Sequence, residues 1–239
     1  MTRPRNWWPD LVFVGGFVLL TALLAKGHLL GADAAVSDWS AAHRPPVAYW
    51  VARVLNSLGQ GGWLLMPLTV TLAALLAWRR RSVRPLLVFL ATAALTYVTI
   101  GPAKIYFQRA APAFTGPDRT VLFNEAAVGQ FGMSYPSGHV ANAIVWYAVI
   151  AFLLAGLVGT LGPRVVIALR VLPPVIVFCT TTYLSWHWIT DSVAGLFLGL
   201  VLARLLARVP WETFPLPRWL SRFERPVGAI RAGRASPDS

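Results

Sequence analysis

Charge is scarce in this chain: 13% of its 239 residues are Asp, Glu, Lys or Arg, against 56% hydrophobic, and the mean hydropathy is +0.60. A soluble domain carries about 25% charged residues, so that class is not expected. Cysteine is rarer still. Cys179 stands alone, so no internal disulfide can form, and among Phe178, Thr180 and Thr181 it reads as packing. Acidic residues number nine; Asp33, Asp38 and Glu125 read as solvated loop charges with nothing to pair them, which disfavours a two-carboxylate hydrolase. His28 and His43 fall at no recognised ligand spacing from the other histidines, which disfavours a metal cluster. Lysine occurs only as Lys26 and Lys104 among 21 basic residues, and a lysine where arginine is the habit suggests a specific requirement.

What the sequence does have is long apolar runs. Leu11 to Leu30, Trp63 to Trp78, Leu86 to Ala103, Val140 to Val158, Val165 to Leu184 and Ser192 to Ala207 each approach the roughly 20 residues that cross a bilayer. The expectation is an all-α integral membrane bundle of six helices spanning residues 1–209. The first run is too long, and too poor in a small-residue cleavage site, to read as a removable signal peptide, although Ala22 to Ala25 admits it. Eleven tryptophans, several at run ends, suit interfacial anchoring. Neither an internal repeat nor a separate soluble domain is evident.

Basic residues gather on the cytoplasmic side of membrane proteins. With six spans, fifteen fall on one side, among them Arg3, Arg5, Arg79, Arg80, Arg81 and Arg84, against six on the other. Both termini are therefore expected in the cytoplasm. The net charge of +12 reads mostly as topology; attraction to anionic lipid is secondary, and nucleic-acid binding is not expected. Residues 210–239 form a basic cytoplasmic tail, expected to lie partly on the membrane surface (Trp211 to Arg225) and to end in disorder. Residues 31–62 read as an outer loop with one or two short surface helices. Residues 104–136 form the longest polar connection, a length that is often functional.

The chemistry concentrates on the outer side. Pro136-Ser137-Gly138-His139 opens the fourth span, where unpaired backbone N–H groups can hold an anion beside an imidazole. His187 is followed four residues later by Asp191, which on a helix puts both on one face, and a carboxylate there fixes an imidazole's tautomer. Lys104 ends the third span. All three places face the outer phase, a convergence reached from arginine placement alone.

These residues resemble the type 2 phosphatidic acid phosphatase superfamily over roughly residues 86–207. Its pattern is Lys, six residues, Arg-Pro; then Pro-Ser-Gly-His; then Ser-Arg, five residues, His, three residues, Asp. The resemblance implies a membrane lipid phosphatase in which His187 is the nucleophile, Asp191 orients it and His139 protonates the departing alkoxide. Lys104, Arg109, Ser137 and Gly138 would hold the phosphate, with no metal or cofactor. The middle motif matches fully. In the first, Ala111 stands where the arginine before Pro112 is expected, with Arg109 two positions earlier; in the third, Thr180-Thr181 replaces Ser-Arg. An altered phosphate pocket follows, not a dead one. A lipid phosphate monoester or diphosphate is the expected substrate, in the outer leaflet of the plasma membrane; transfer to an acceptor hydroxyl, or a non-catalytic lipid-binding protein on the same scaffold, are the alternatives.

Overall fold

The apolar runs become helices because a bilayer leaves no other way to satisfy backbone polar groups within one segment. The computed structural model describes residues 3–222 and 224; the final residues, expected to be disordered, lie outside the described residues. The first span is α1 (Trp8–Ala25), followed by two shorter helices, α2 (Leu30–Ala42) and α3 (Pro46–Asn56). A π turn, Gly61–Leu65, leads into α4 (Met66–Arg80), and α5 (Arg84–Phe107) completes the first half. After a long connection come α6 (Gly138–Val158), α7 (Pro163–Tyr183) and α8 (Ile189–Arg208), with a short α9 (Arg218–Ser221) beyond. Six of these helices are long and apolar enough to cross a membrane. The connection between α1 and α4 carries the two short helices expected of residues 31–62, and no strand occurs among the described residues. Proline sits in the first turn of α1, α3, α4, α5 and α7, where its missing N–H costs nothing.

α6 is the hub. Its apolar window is 67% buried and that of α8 50%, whereas the other four spans lie between 17% and 28% and leave their outer faces for lipid. Small residues let α6 and α8 meet, as between membrane helices generally. A Cβ on Gly195 would fall 2.5 Å from the Ser137 carbonyl, and one on Gly199 3.0 Å from the Ala141 Cα. The backbone N–H of Ser137 donates to the Asp191 carbonyl at 2.9 Å. The Pro-Ser-Gly-His turn is thus fastened to the start of α8.

At the opposite end Arg204 donates to Asp10 at 2.8 Å and Arg208 bonds the same carboxylate, tying α8 to α1. Arg84 donates to the Trp211 and Phe214 carbonyls and pairs with Glu224 at 3.2 Å. The segment after Val209 is therefore less superficial than its composition suggests: Trp211 joins the core around α6, while Trp219 stays exposed.

Candidate active site

The connection from Phe107 to Ser137 folds back on itself. Ala111 N–H donates to the Phe131 carbonyl and Ser134 N–H to the Arg109 carbonyl, at 3.2 and 3.0 Å, so Arg109 and Ser134 are neighbours. Asn124 braces the bend, donating to the carbonyls of Pro117 and Asp118 and accepting from Ala126 N–H. This strap lies across the ends of α5, α6 and α8.

Beneath it is a cavity of about 770 Å³ lined by Lys104, Gly138, His139 and His187. The two imidazoles are 5.5 Å apart between ring centroids and nearly edge to face. Lys104 Nζ bonds the Met133 carbonyl, and a Cβ on Gly138 would meet the Lys104 Cε at 3.2 Å; only glycine lets the ammonium lie so close to the start of α6. Ser137 caps that helix, its Oγ accepting from Val140 N–H at 3.5 Å. An anion placed here would meet the lysine charge and the positive end of α6 together.

Behind His187 is a buried polar stack that touches the cavity lining only at Ser134. His187 precedes α8 instead of lying on it, so the pairing with Asp191 is not that of one helical face. Asp191 Oδ2 accepts from Trp188 N–H at 3.0 Å, closing the helix start, and stands 3.6 Å from His187 Nδ1, too far for a direct hydrogen bond. Ser134 fills the gap. Its Oγ lies 3.2 Å from Nδ1 and donates to Asp191 Oδ2 at 2.5 Å. Burial, helped by Lys104, holds the His187 imidazole below its ordinary range despite Asp191. The ring is kept neutral, with its Nε2 unengaged by this stack.

Arg109 closes the stack from behind, fully buried. Its Nη1 donates to Asp191 Oδ1 at 2.6 Å and to Thr190 Oγ1 at 2.8 Å; Nη2 donates to Asp33 Oδ2 at 2.6 Å and, with Nε, to the Thr120 carbonyl. All five guanidinium N–H groups are taken. Burial works against this charge, yet Asp191 and Asp33 hold the guanidinium above its ordinary range. The position read for Arg109, on the phosphate, is therefore not where the structure puts it: a guanidinium with no free donor, off the cavity lining, cannot grip a phosphate oxygen. Asp33 likewise is no solvated loop charge. It is wholly buried, accepts from Thr190 N–H and Oγ1, and burial pushes its carboxyl above the usual range.

The tryptophans beside His187 divide: Trp186 lines the cavity, whereas Trp188 is fully buried, its indole N–H donating to the Ala110 carbonyl at 2.7 Å and its ring beneath Arg109. Asp38 and Glu125 are exposed as read, Asp38 pairing with Arg119 at 3.4 Å. Cys179 lies exposed on α7. Of the two positions lacking an arginine, Ala111 lines the cavity, but Thr181 is fully buried with its hydroxyl unpartnered among the described residues. Sequence reasoning missed Ser134, Asp33 and Gln60. Gln60 Nε2 stands 3.0 Å from His139 Nε2, and the glycines flanking Gln60 let it come so near: a Cβ on Gly59 would fall 3.0 Å from the His139 carbonyl.

A model of the PAP2 superfamily matches residues 85–215. Phosphatidylglycerophosphatase B of Bacillus subtilis (strain 168) is 29% identical over 191 residues, covering 78% of this chain and 87% of the relative. A crystal structure described as the first transmembrane PAP2 type phosphatidylglycerolphosphate phosphatase from Bacillus subtilis superposes with a TM-score of 0.68 at 25% identity. It covers 83% of this chain and 94% of that one.

Proposed function

The chain belongs to the PAP2 superfamily, and from that premise we propose that it hydrolyses a lipid phosphate monoester or diphosphate through a phosphohistidine on His187, at the outer face of the plasma membrane. The His187 Nε2 lone pair attacks the terminal phosphorus as its P–O bond breaks, to the lipid alcohol oxygen in a monoester or to the bridging oxygen in a diphosphate, where lipid monophosphate leaves. The negative charge of the bound phosphate favours a proton on His139, which gives it to the departing oxygen. Water then attacks the phosphorus, His139 takes the water's proton, the P–N bond breaks, and inorganic phosphate leaves with the imidazole restored. Lys104 and Gly138 N–H hold the phosphate oxygens; Ser137, fully buried and off the cavity lining, caps α6 and so positions that N–H. Asp191, through Ser134, fixes the His187 tautomer, and Arg109 fixes Asp191. No metal or cofactor enters this scheme.

The observation that carries the reading is the convergence of His139, His187 and Lys104 on one cavity, with a buried carboxylate behind the nucleophile. The outer placement rests on the excess of arginine at the other end of the bundle. The names of the relatives put phosphatidylglycerophosphate first among substrates to try. Incubating the purified protein and its His187→Ala form with a panel of lipid phosphates tests the scheme. Phosphate release by the wild type, and its loss in the variant, is the expected outcome. Transfer to an added lipid acceptor without free phosphate would make the protein a phosphotransferase, and inactivity across the panel a non-catalytic one.

A further inference from the structure

Only part of the cavity wall is built for phosphate. Lys104 is the one lysine or arginine among the described lining residues, and no aspartate or glutamate lies there. Apart from the histidines, the rest of its polar lining is neutral: Ser134 is held by His187 and Asp191, which leaves Gln60, Asn142 and Ser185. Asn142 stands three residues beyond His139 on α6, which puts both side chains on one helical face, and both line the cavity. The Asn142 carboxamide abuts the loop before α4 so closely that a Cβ on Gly61 would fall 2.9 Å from its Nδ2. Next to Gly61, Gln60 meets His139 Nε2 through one carboxamide atom; a carboxamide has two donors and an acceptor, so hydrogen-bonding capacity remains. Ser185, also on the lining, has a buried Oγ without a partner among the described residues.

A polar residue on a membrane helix facing a cavity marks a ligand path, and a buried hydroxyl without a partner costs free energy until something bonds it. Three neutral groups that donate and accept suit hydroxyls. They do not suit a second phosphate, which would enter a wall whose only lysine or arginine is already committed to the first, with Ala111 where another cation could have stood.

We propose that Gln60, Asn142 and Ser185 form a hydroxyl-reading subsite for the leaving alcohol, selecting lipid phosphate monoesters whose alcohol carries a free hydroxyl beside the ester carbon over diphosphates. This rests on the phosphatase reading, since His139 defines where the departing oxygen lies. Gln60 and Asn142 flank that histidine, so a hydroxyl on the next carbon meets their carboxamides. A site built to bond a substrate hydroxyl rejects an analogue lacking it, because its own polar groups are left unpaired.

The test uses the full chain in mixed micelles with three substrates: phosphatidylglycerophosphate, its analogue with hydrogen in place of the free hydroxyl of the terminal glycerol, and a polyprenyl diphosphate. For the wild type, kcat/KM is expected to be at least about tenfold higher for the hydroxylated ester than for the deoxy analogue, with the diphosphate slower than the hydroxylated ester. In Gln60→Leu and Asn142→Leu the preference for the hydroxyl shrinks to within about threefold. The wild-type comparison alters the substrate, so it stands even if a variant fails to fold. Equal kcat/KM for the two esters, or faster turnover of the diphosphate, overturns the subsite alone. No phosphate from any of the three overturns the phosphatase reading and the subsite with it.

Discussion

Arg109 Nη1 lies 2.6 Å from Asp191 Oδ1, with neither side chain exposed. The pair joins the strap after α5 to the start of α8, and the same guanidinium reaches Asp33 on α2 at the same distance. Two carboxylates share one guanidinium in a site closed to solvent. Without it, Asp191 would face an uncompensated desolvation penalty and tend to take a proton. Protonated, it would no longer stabilise the charge that His187 would gain on attack in the proposed mechanism. In the proposed mechanism Arg109 thus acts through Asp191, as a positioning residue.

Arg109→Ala should therefore cost both stability and turnover. Breaking a buried pair from one side costs about 3–5 kcal/mol, and loss of the Asp191 orientation should lower kcat by on the order of 10²-fold or more. Because no guanidinium N–H faces the cavity, KM for the lipid should change little compared with kcat. Arg119→Ala removes a pair whose side chains are 42% and 66% exposed, worth about 0–1 kcal/mol. Thermal unfolding in detergent and steady-state kinetics of both variants, with Arg109→Lys as a milder change, would check this. A raised KM with kcat intact in the Arg109 variants would return that residue to the phosphate.

Ser134 predicts a second loss. Without its hydroxyl, His187 Nδ1 and Asp191 Oδ2 stand 3.6 Å apart with no group between them. A hydrogen bond to a charged group contributes about 1.5–3 kcal/mol, so Ser134→Ala should reduce kcat about 10- to 100-fold. Ser134→Thr keeps the hydroxyl and should retain more activity. Rates for Ser134→Ala equal to the wild type would remove the bridge from the mechanism.

Burial lowers the proton affinity of His187 in the folded state, and the sign of the consequence is definite. The unfolded chain takes up a proton near pH 6.5, where the native imidazole still resists it. The contribution of His187 to stability is complete above that pH and declines as pH falls from about 6.5 toward the lower native value. The lone pair that the proposed mechanism uses survives across the same interval. The acidic limb of kcat/KM should accordingly lie below pH 6.5, the ordinary imidazole value. A pH–rate profile of the wild type measures this, and a nucleophile limb at or above 6.5 would contradict a neutral, buried His187.

The spans were legible because bilayer crossing is written in local hydropathy, and each helix end lies within a few residues of its run, apart from the lag of α1, which begins and ends earlier. His139, His187 and Lys104 were legible because short motifs carry them. Asp33 was not. It meets Arg109 across 76 positions, from a helix that composition alone places on the surface. The overlooked signal is spacing: Asp33, Ser37 and Ser40 recur four and three residues apart, and all three are buried, a polar stripe turned inward. Gln60 announced itself only through its flanking glycines. Ala111 and Thr181 looked equivalent as vacant arginine positions, yet one faces the cavity and the other is sealed.

That difference makes the final prediction. Ala111 lines the cavity, so Ala111→Arg extends a long side chain into open space with Lys104 and the histidines. One charge-assisted hydrogen bond to phosphate contributes about 1.5–3 kcal/mol, and inhibition by inorganic phosphate or vanadate should tighten about 10- to 100-fold. Ala111→Met, similar in reach but uncharged, should bring no such gain. Thr181 is fully buried, and Thr181→Arg must force a guanidinium into a closed interior, where overpacking and an unpaired charge both destabilise; lower thermal stability without tighter inhibition is expected there. Equal tightening at the two positions would mean that Thr181 opens toward the phosphate in solution, and that the pocket is wider than the cavity between the two histidines.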